Sequence, residues 1–359
     1  MSRVVLKFGG SSVGDSTNYF DENHMIRIAN TIKKQKEDGN QVIVVISAMA
    51  GETRRLKQMA QMMDSSSNTE EDDIILSAGE QVSAGLLTKL LNSEKFNKKA
   101  KAFLGWQLPI ITNTTFGGAK ITDIQTSKLE ECLQNDIIPV IAGFQGVTNT
   151  KRITTLGFDG SDTTAVAIAG YLKADYCYFY KDVRGVYTAN PRRVSKASKI
   201  DELSLKEMYV LSSLGARILH PASIQTAIDY DINLKVLPNF LEDEDGTKIK
   251  HCDIKKDISG ITYFEHKPNE ITISVVGKGV SKEDGASIIK ELNKNKIFAQ
   301  VVETEFDYMS ITVEIGWIQQ LDTALSAIHT LYNLDNINVS EKAFNGEGKQ
   351  IYRDPAIKT

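Results

Sequence analysis

Short apolar runs that stop abruptly at glycine, serine and alanine recur along the first two thirds of the chain, and no other feature constrains its fold as tightly. Val4-Val5-Leu6 runs into Lys7-Phe8-Gly9-Gly10-Ser11-Ser12, and Gln41–Ile46 (QVIVVI) runs into Ser47-Ala48-Met49-Ala50-Gly51. Residues 137–142 (IIPVIA) repeat the pattern before Gly143-Phe144-Gln145-Gly146, and Ile110–Thr112 is a shorter copy. Such runs are apolar throughout rather than alternating, as expected of strands buried on both faces. Between them, residues 21–38 place Ile26, Ile28, Ala29 and Ile32 at helical spacing. Residues 165–172 read as helix and 176–180 as strand. Alternating strands and helices predict an α/β fold: an open, mostly parallel sheet sandwiched by helices. In such sheets ligands bind beyond the carboxyl ends of the strands, which is where all the small, polar motifs fall.

Composition excludes several classes. Lys plus Arg (42) nearly balances Asp plus Glu (46), for a net charge of −4. That balance gives no electrostatic case for a nucleic-acid or membrane partner. No run approaches the ~18 apolar residues of a membrane span. The N-terminus has only a three-residue apolar run before Lys7, so no signal peptide is expected. Cys132, Cys177 and Cys252 are sparse, odd in number and form no CxxC. That usage points to a reducing, cytoplasmic setting. Five histidines show no HExxH pattern, so no protein-built metal site is expected.

Neither GxxxxGK[ST] nor GxGxxG occurs. Gly10-Ser11-Ser12-Val13-Gly14 fits GxSxG, but the simpler reading of a small-residue turn after a strand is anion binding. Glycines let backbone N–H groups approach a phosphate, the next helix N-terminus adds partial positive charge, and Lys7 adds a full one. A second Gly/Ser/Thr loop, residues 154–165 (TTLGFDGSDTTA), precedes a helix, with Ser161 or Asp162 as candidate N-cap. Two further unusual stretches follow: residues 180–192 (YKDVRGVYTANPR) and 213–221 (SLGARILHP).

Taken in order, KFGGSS, SAGEQVSAGLL, PVIAGFQG, TTLGFDGSDTTA, DVRGVYTANPR and SLGARILHPAS resemble the aspartokinases of the amino acid kinase family, over residues 4–237. The resemblance implies an ATP-dependent kinase with a carboxyl acceptor. Its substrate would be the side-chain carboxylate of aspartate, at the entry to lysine, methionine and threonine synthesis. It implies catalytic roles for Lys7 and Asp162, the latter organising the lysine. Ser47, Glu80, Phe144 and Ser161 would bind the amino acid, Glu80 receiving its α-ammonium group. Lys7, Phe8, Gly9, Gly10, Ser11, Lys181, Asp182, Tyr187, Arg192 and Arg217 would contact ATP. Mg²⁺ would be held mainly through phosphates, because it keeps waters and rarely uses an all-protein cage.

The chain departs from the family in the loop that usually reads Gly-Arg-Gly-Gly-Ser-Asp. Phe158 stands in place of an arginine used on a substrate carboxylate, and Asp159 in place of a glycine. Phenylalanine supplies no bidentate contact. Arg54, Arg55 and Arg152 are candidates to compensate for it, against the alternative that they are solvated surface arginines. Two alternatives stay open: a kinase of a different amino acid or carboxylate in the superfamily, and an inactive ligand-sensing paralogue.

The expected organisation is a catalytic domain over residues 1–238, a charged connector over 239–262, an ACT-like module over 263–345 and a tail over 346–359. Residues 271–276, 287–295, 298–303, 309–315 and 321–331 read as strand, helix, strand, strand and helix, a ferredoxin-like order. Family members usually carry two ACT domains, and the roughly 120 residues after Asn239 leave room for one. The loop 277–285 (GKGVSKEDG) is a candidate contact for an amino-acid effector or a partner module. Unpaired strand edges on a lone module predict a homodimer.

Overall fold

The computed structural model describes residues 1–14, 20–66, 68–239, 244–252, 257–267, 270–278, 280–315 and 318–336. The tail expected over 346–359 lies outside them. The main sheet has eight strands. Their spatial order is Glu202–Ser204, Thr247–Lys250, Asn233–Pro238, Tyr176–Lys181, Arg3–Phe8, Gln41–Ile46, Ile138–Ala142 and Ala100–Phe103. Every neighbouring pair is parallel except Asn233–Pro238 with Thr247–Lys250.

The strand period of two divides the core. Val4, Leu6 and Phe8 point to one face, with Val42, Val44 and Ile46, and are covered by helices Glu22–Glu37 and Glu70–Leu91. Val5, Ile43, Val45, Cys177 and Phe179 point to the other, under helix Gly160–Tyr171. Ala165, Ala167 and Ala169 on that helix are small and buried, so it packs close to the sheet. By the same alternation Lys7, next to last in its strand, and Lys181, last in its own, lie on the face of that helix. The helix Glu70–Leu91 is long and apolar enough to cross a membrane by length and composition. Here Ala84, Leu87 and Leu91 are fully buried against the sheet.

Two readings from sequence need correction. Ile110–Thr112 does not join the main sheet; it pairs with Ile121–Ile124 and Gln145–Val147 in a separate four-stranded sheet that includes Ile153–Thr155. The edge of the main sheet is Ala100–Phe103, whose lysine and partial exposure hide it from a search for apolar runs. The segment read as connector, 239–262, contains the main-sheet strand Thr247–Lys250 and the start of strand Gly260–Lys267.

The C-terminal module is a four-stranded antiparallel sheet in the order Gly260–Lys267, Glu270–Val276, Tyr308–Glu314, Ala299–Thr304. Helices Lys282–Lys294 and Ile318–Leu331 bury Ile288, Leu292, Leu321, Leu325 and Ile328 against it. This fits the expected ACT-like module, with Gly260–Lys267 as a strand the sequence pattern did not reveal. The module joins the larger domain through Ile261 N–H donating to Thr188 O (2.7 Å), the Thr188 Oγ1–His329 Nε2 hydrogen bond (2.8 Å) and the Arg193–Asp322 ion pair (2.9 Å).

Candidate active site

Lys7, Asp162 and Lys181 form the centre of the site. Lys7 Nζ lies 2.5 Å from Asp162 Oδ1, and Lys181 Nζ donates to Asp162 Oδ2 at 2.9 Å. Asp162 is buried in the first turn of its helix, and Ser161, also buried, precedes it. The N-cap is Asp159, in a left-handed conformation (φ 51°) that aspartate tolerates, and not Ser161 or Asp162 as the loop pattern suggested. Burial opposes the charge on Asp162, yet the two ammonium groups hold its carboxyl below the ordinary range. Burial also pulls the Lys7 ammonium down, further than Asp162 raises it. Lys181 sits in a milder position: Asp162, helped by Asp159 and Asp182, outweighs burial and raises it. Lys7 and Lys181 thus flank Asp162, with the Asp159 and Asp182 carboxylates also acting on Lys181, and their ammonium groups are the donors this end offers to phosphate oxygens.

The strand ends close around that cluster. Gly9 and Gly10 follow the first strand and open the short helix Gly10–Val13, whose Ser11 is exposed; Phe8 is buried beneath. Ser47 N–H donates to Phe8 O (3.1 Å) and Gly143 N–H to Ile46 O (3.0 Å), so three strand ends run side by side. A Cβ at Gly143 would stand 2.7 Å from the Ser161 Cβ, so only glycine lets this strand end reach the helix. Phe144 takes a left-handed conformation (φ 70°), costing about 1–3 kcal/mol for a bulky residue. Thr164 Oγ1 accepts from its N–H (3.1 Å), and its carbonyl accepts from Leu156 N–H (2.8 Å).

Glu80 approaches from the opposite face of the sheet. A Cβ at Gly79 would meet the Ala48 Cβ at 2.7 Å, so the glycine brings helix Glu70–Leu91 against the Ser47–Ala48 loop. There Glu80 Oε1 accepts from Ala48 N–H (3.1 Å), while Oε2 is buried with no partner among the described residues. Only 3% of Glu80 is exposed, and burial pushes its carboxyl up to about 7 against the pull of Ala48 N–H and Lys7. Ionising it costs about 3 kcal/mol of stability at pH above 7. A bound cation would offset that cost; the α-ammonium group of an amino acid has the right charge and donors.

The remaining expected contacts are more open. Asp182 is exposed one residue beyond Lys181, and Tyr187 is half-buried, its phenol raised by burial. Arg192 and Arg217 are exposed, the former with its N–H on Asn190 Oδ1 (3.0 Å). Phe158 is 83% exposed, its ring centroid 6.1 Å from that of His220. Of the arginines that are candidates to replace the missing guanidinium, Arg55 makes a bidentate pair with Glu52 (2.8 and 3.0 Å) and Arg152 pairs with Glu70. Arg54 is exposed. Among the described residues no cluster of three or more His, Cys, Asp or Glu is placed to hold a metal ion.

Residues 2–238 match the amino acid kinase family. The chain belongs to this family. It is 39% identical over 315 residues to the aspartokinase of Rickettsia conorii, covering 87% of this chain and 77% of that one. It is 43% identical over 250 residues to the aspartokinase of Geobacillus stearothermophilus, covering 70% of this chain and 59% of that one. The crystal structure of E. coli aspartokinase III in complex with aspartate and ADP shares the fold, with a TM-score of 0.62 and 24% identity over 90% of this chain and 83% of that one.

Sequence reasoning about this amino acid kinase missed Asp73, a fully buried carboxylate on the helix that carries Glu80. The available signal was spacing: Asp73, Ser77 and Glu80 recur at helical intervals on the buried side of an otherwise apolar helix.

Proposed function

We propose that this kinase is an aspartokinase, transferring the γ-phosphoryl group of ATP to the side-chain carboxylate of L-aspartate to give 4-phospho-L-aspartate and ADP. The observation that carries the reading is the unpartnered, buried oxygen of Glu80 beside the Lys7–Asp162–Lys181 cluster. The names of the relatives at 39% and 43% identity point the same way. Glu80 holds the ammonium group of aspartate, with Ser47, Phe144 and Ser161 around it. Lys7, Lys181 and the backbone of residues 8–11 hold phosphate oxygens, and Asp182, Tyr187, Arg192 and Arg217 face the nucleotide.

In the transfer the bond from γ-phosphorus to the ADP oxygen breaks and one to a carboxylate oxygen forms. The acceptor has no proton to lose, so no general base is needed. Asp162 keeps two ammonium groups charged and aimed where charge accumulates. Mg²⁺, bound through phosphates, would supply further neutralisation of that charge.

We place the reaction in the cytoplasm at the entry to lysine, methionine and threonine synthesis; the free Cys132, Cys177 and Cys252 suit that compartment. The ACT-like module would bind an amino-acid effector. Its edge strand Ala299–Thr304, flanked by exposed Phe298 (80%) and Phe306 (74%), supports a homodimer. A stable monomer at micromolar concentration in sedimentation would contradict the dimer.

Phe158 favours a second reading, a different amino acid as acceptor, because the loop offers no guanidinium for an α-carboxylate. ADP release with and without L-aspartate, then across an amino-acid panel, separates the two. Release stimulated by aspartate above all others supports the first. Stimulation only by another amino acid supports the second, and no stimulation removes both.

A further inference from the structure

Asp73 lies in the first turn of helix Glu70–Leu91, fully buried and about two turns before Glu80. Its carboxylate meets only donors. Gly117 N–H reaches both oxygens at 3.1 Å, Thr155 N–H reaches Oδ2 at 2.8 Å, and Thr155 Oγ1 reaches Oδ1 at 2.5 Å. Burial raises its carboxyl above the ordinary value, these donors pull it back in part, and the acting charge is that of Asp72, of like sign. An uncharged isostere is a poor substitute, since an asparagine N–H₂ would face incoming N–H and O–H groups.

Both donor residues lead to the catalytic loop. Thr155 ends the strand that runs through Gly157 and Asp159 into the helix of Ser161 and Asp162. Gly117 and Gly118 support Gly157, whose Cβ would stand 3.2 Å from Gly117 O, and Ala119 N–H donates to Thr155 O (2.8 Å). One turn nearer Glu80, the buried Gln145 Nε2 donates to Ser77 O (3.2 Å). Asp73 therefore ties the helix bearing Glu80 directly to the strand that enters the Phe158–Asp162 loop, beside the Gln145–Ser77 hydrogen bond and the Arg152–Glu70 ion pair.

We propose that Asp73 is a positioning residue for the acceptor side of the reaction: it sets the distance between Glu80 and the Leu156–Ser161 loop without touching substrate. The idea rests on the aspartokinase reading, and its test includes a readout independent of turnover. In Asp73→Asn, the KM for aspartate rises about tenfold or more while that for ATP moves less than about twofold. Thr155→Val, which removes one donor and keeps the backbone, shifts the aspartate KM the same way by about threefold. The double variant falls short of the product of the two, because both act on one contact. Amide hydrogen exchange at residues 156–161 speeds up in both variants with no substrate present. Unchanged aspartate KM in a folded Asp73→Asn or Thr155→Val enzyme, or loop exchange equal to wild type, overturns the proposal. An equal loss in both KM values, tracking a lower melting temperature, marks Asp73 as merely structural and overturns it too. Should Asp73→Asn fail to fold, Thr155→Val decides alone. A wild-type enzyme with no aspartate-dependent turnover defeats the aspartokinase reading, and the exchange measurement still judges Asp73.

Discussion

At the end of the site proposed to take the nucleotide, Asp162 stands between Lys7 and Lys181, 2.5 and 2.9 Å away. At the end proposed to take the acceptor, Glu80 has one backbone donor and one oxygen with no partner among the described residues. Burial is as deep at both ends, and the outcome is opposite: Asp162 is held ionised by its neighbours, whereas Glu80 is pushed up to about 7. The difference teaches how one cleft can sort two substrates that are both anionic overall. On the proposed reading, the Lys7 and Lys181 ammonium groups serve phosphates, and the acceptor is selected by the cation it carries. Asp73, on the same helix as Glu80, supplies the contrast: a buried carboxylate whose oxygens both meet donors has nothing left to offer a ligand.

Removing Lys7 attacks the comparison at its stronger end. Lys7→Met leaves Asp162 with one cation and takes away a charge aimed at the transferring group, so kcat falls by about 10³ or more in steady-state turnover. Glu80→Gln attacks the weaker end. The kcat/KM for aspartate drops about 10²-fold, while the KM for ATP stays within about twofold. Phe158→Arg sharpens the comparison by restoring a cation beside the acceptor, and the aspartate KM falls several-fold, to about a tenth at most. The smallest effects belong to Arg55 and Arg152, whose guanidinium groups are engaged by Glu52 and Glu70 at the surface. Arg55→Ala and Arg152→Ala change aspartate kcat/KM by less than about twofold, against the compensation their sequence position suggested.

Much of this arrangement is legible in the sequence because it sits where strands stop. The runs ending at Lys7, Ile46 and Lys181 announce themselves by apolarity, and the sheet's period of two then puts both lysines on one face. Strand Ala100–Phe103 and the transfer of Ile110–Thr112 to another sheet are not legible, because an edge strand needs no apolar run and three residues carry no partner information. Glu80 was found by its motif, but its missing partner is a matter of packing, set by Gly79 against Ala48. Asp73 escaped for the same reason: its donors come from residues 44 and 82 positions away, which no local pattern encodes.

The charge of Glu80 gives the most direct test. Its carboxylate must be ionised to hold an ammonium group, and its raised pKa means the ionised form is lost as pH falls through about 7. The decisive measurement is aspartate-dependent ADP release from pH 5.5 to 8.5, in the wild type and in Glu80→Gln, with ATP saturating. The account predicts that wild-type kcat/KM for aspartate rises with pH with an apparent pKa near 7, and that this rise is absent from Glu80→Gln. Superimposable pH profiles for the two enzymes, or ADP release indifferent to aspartate at every pH, would contradict it.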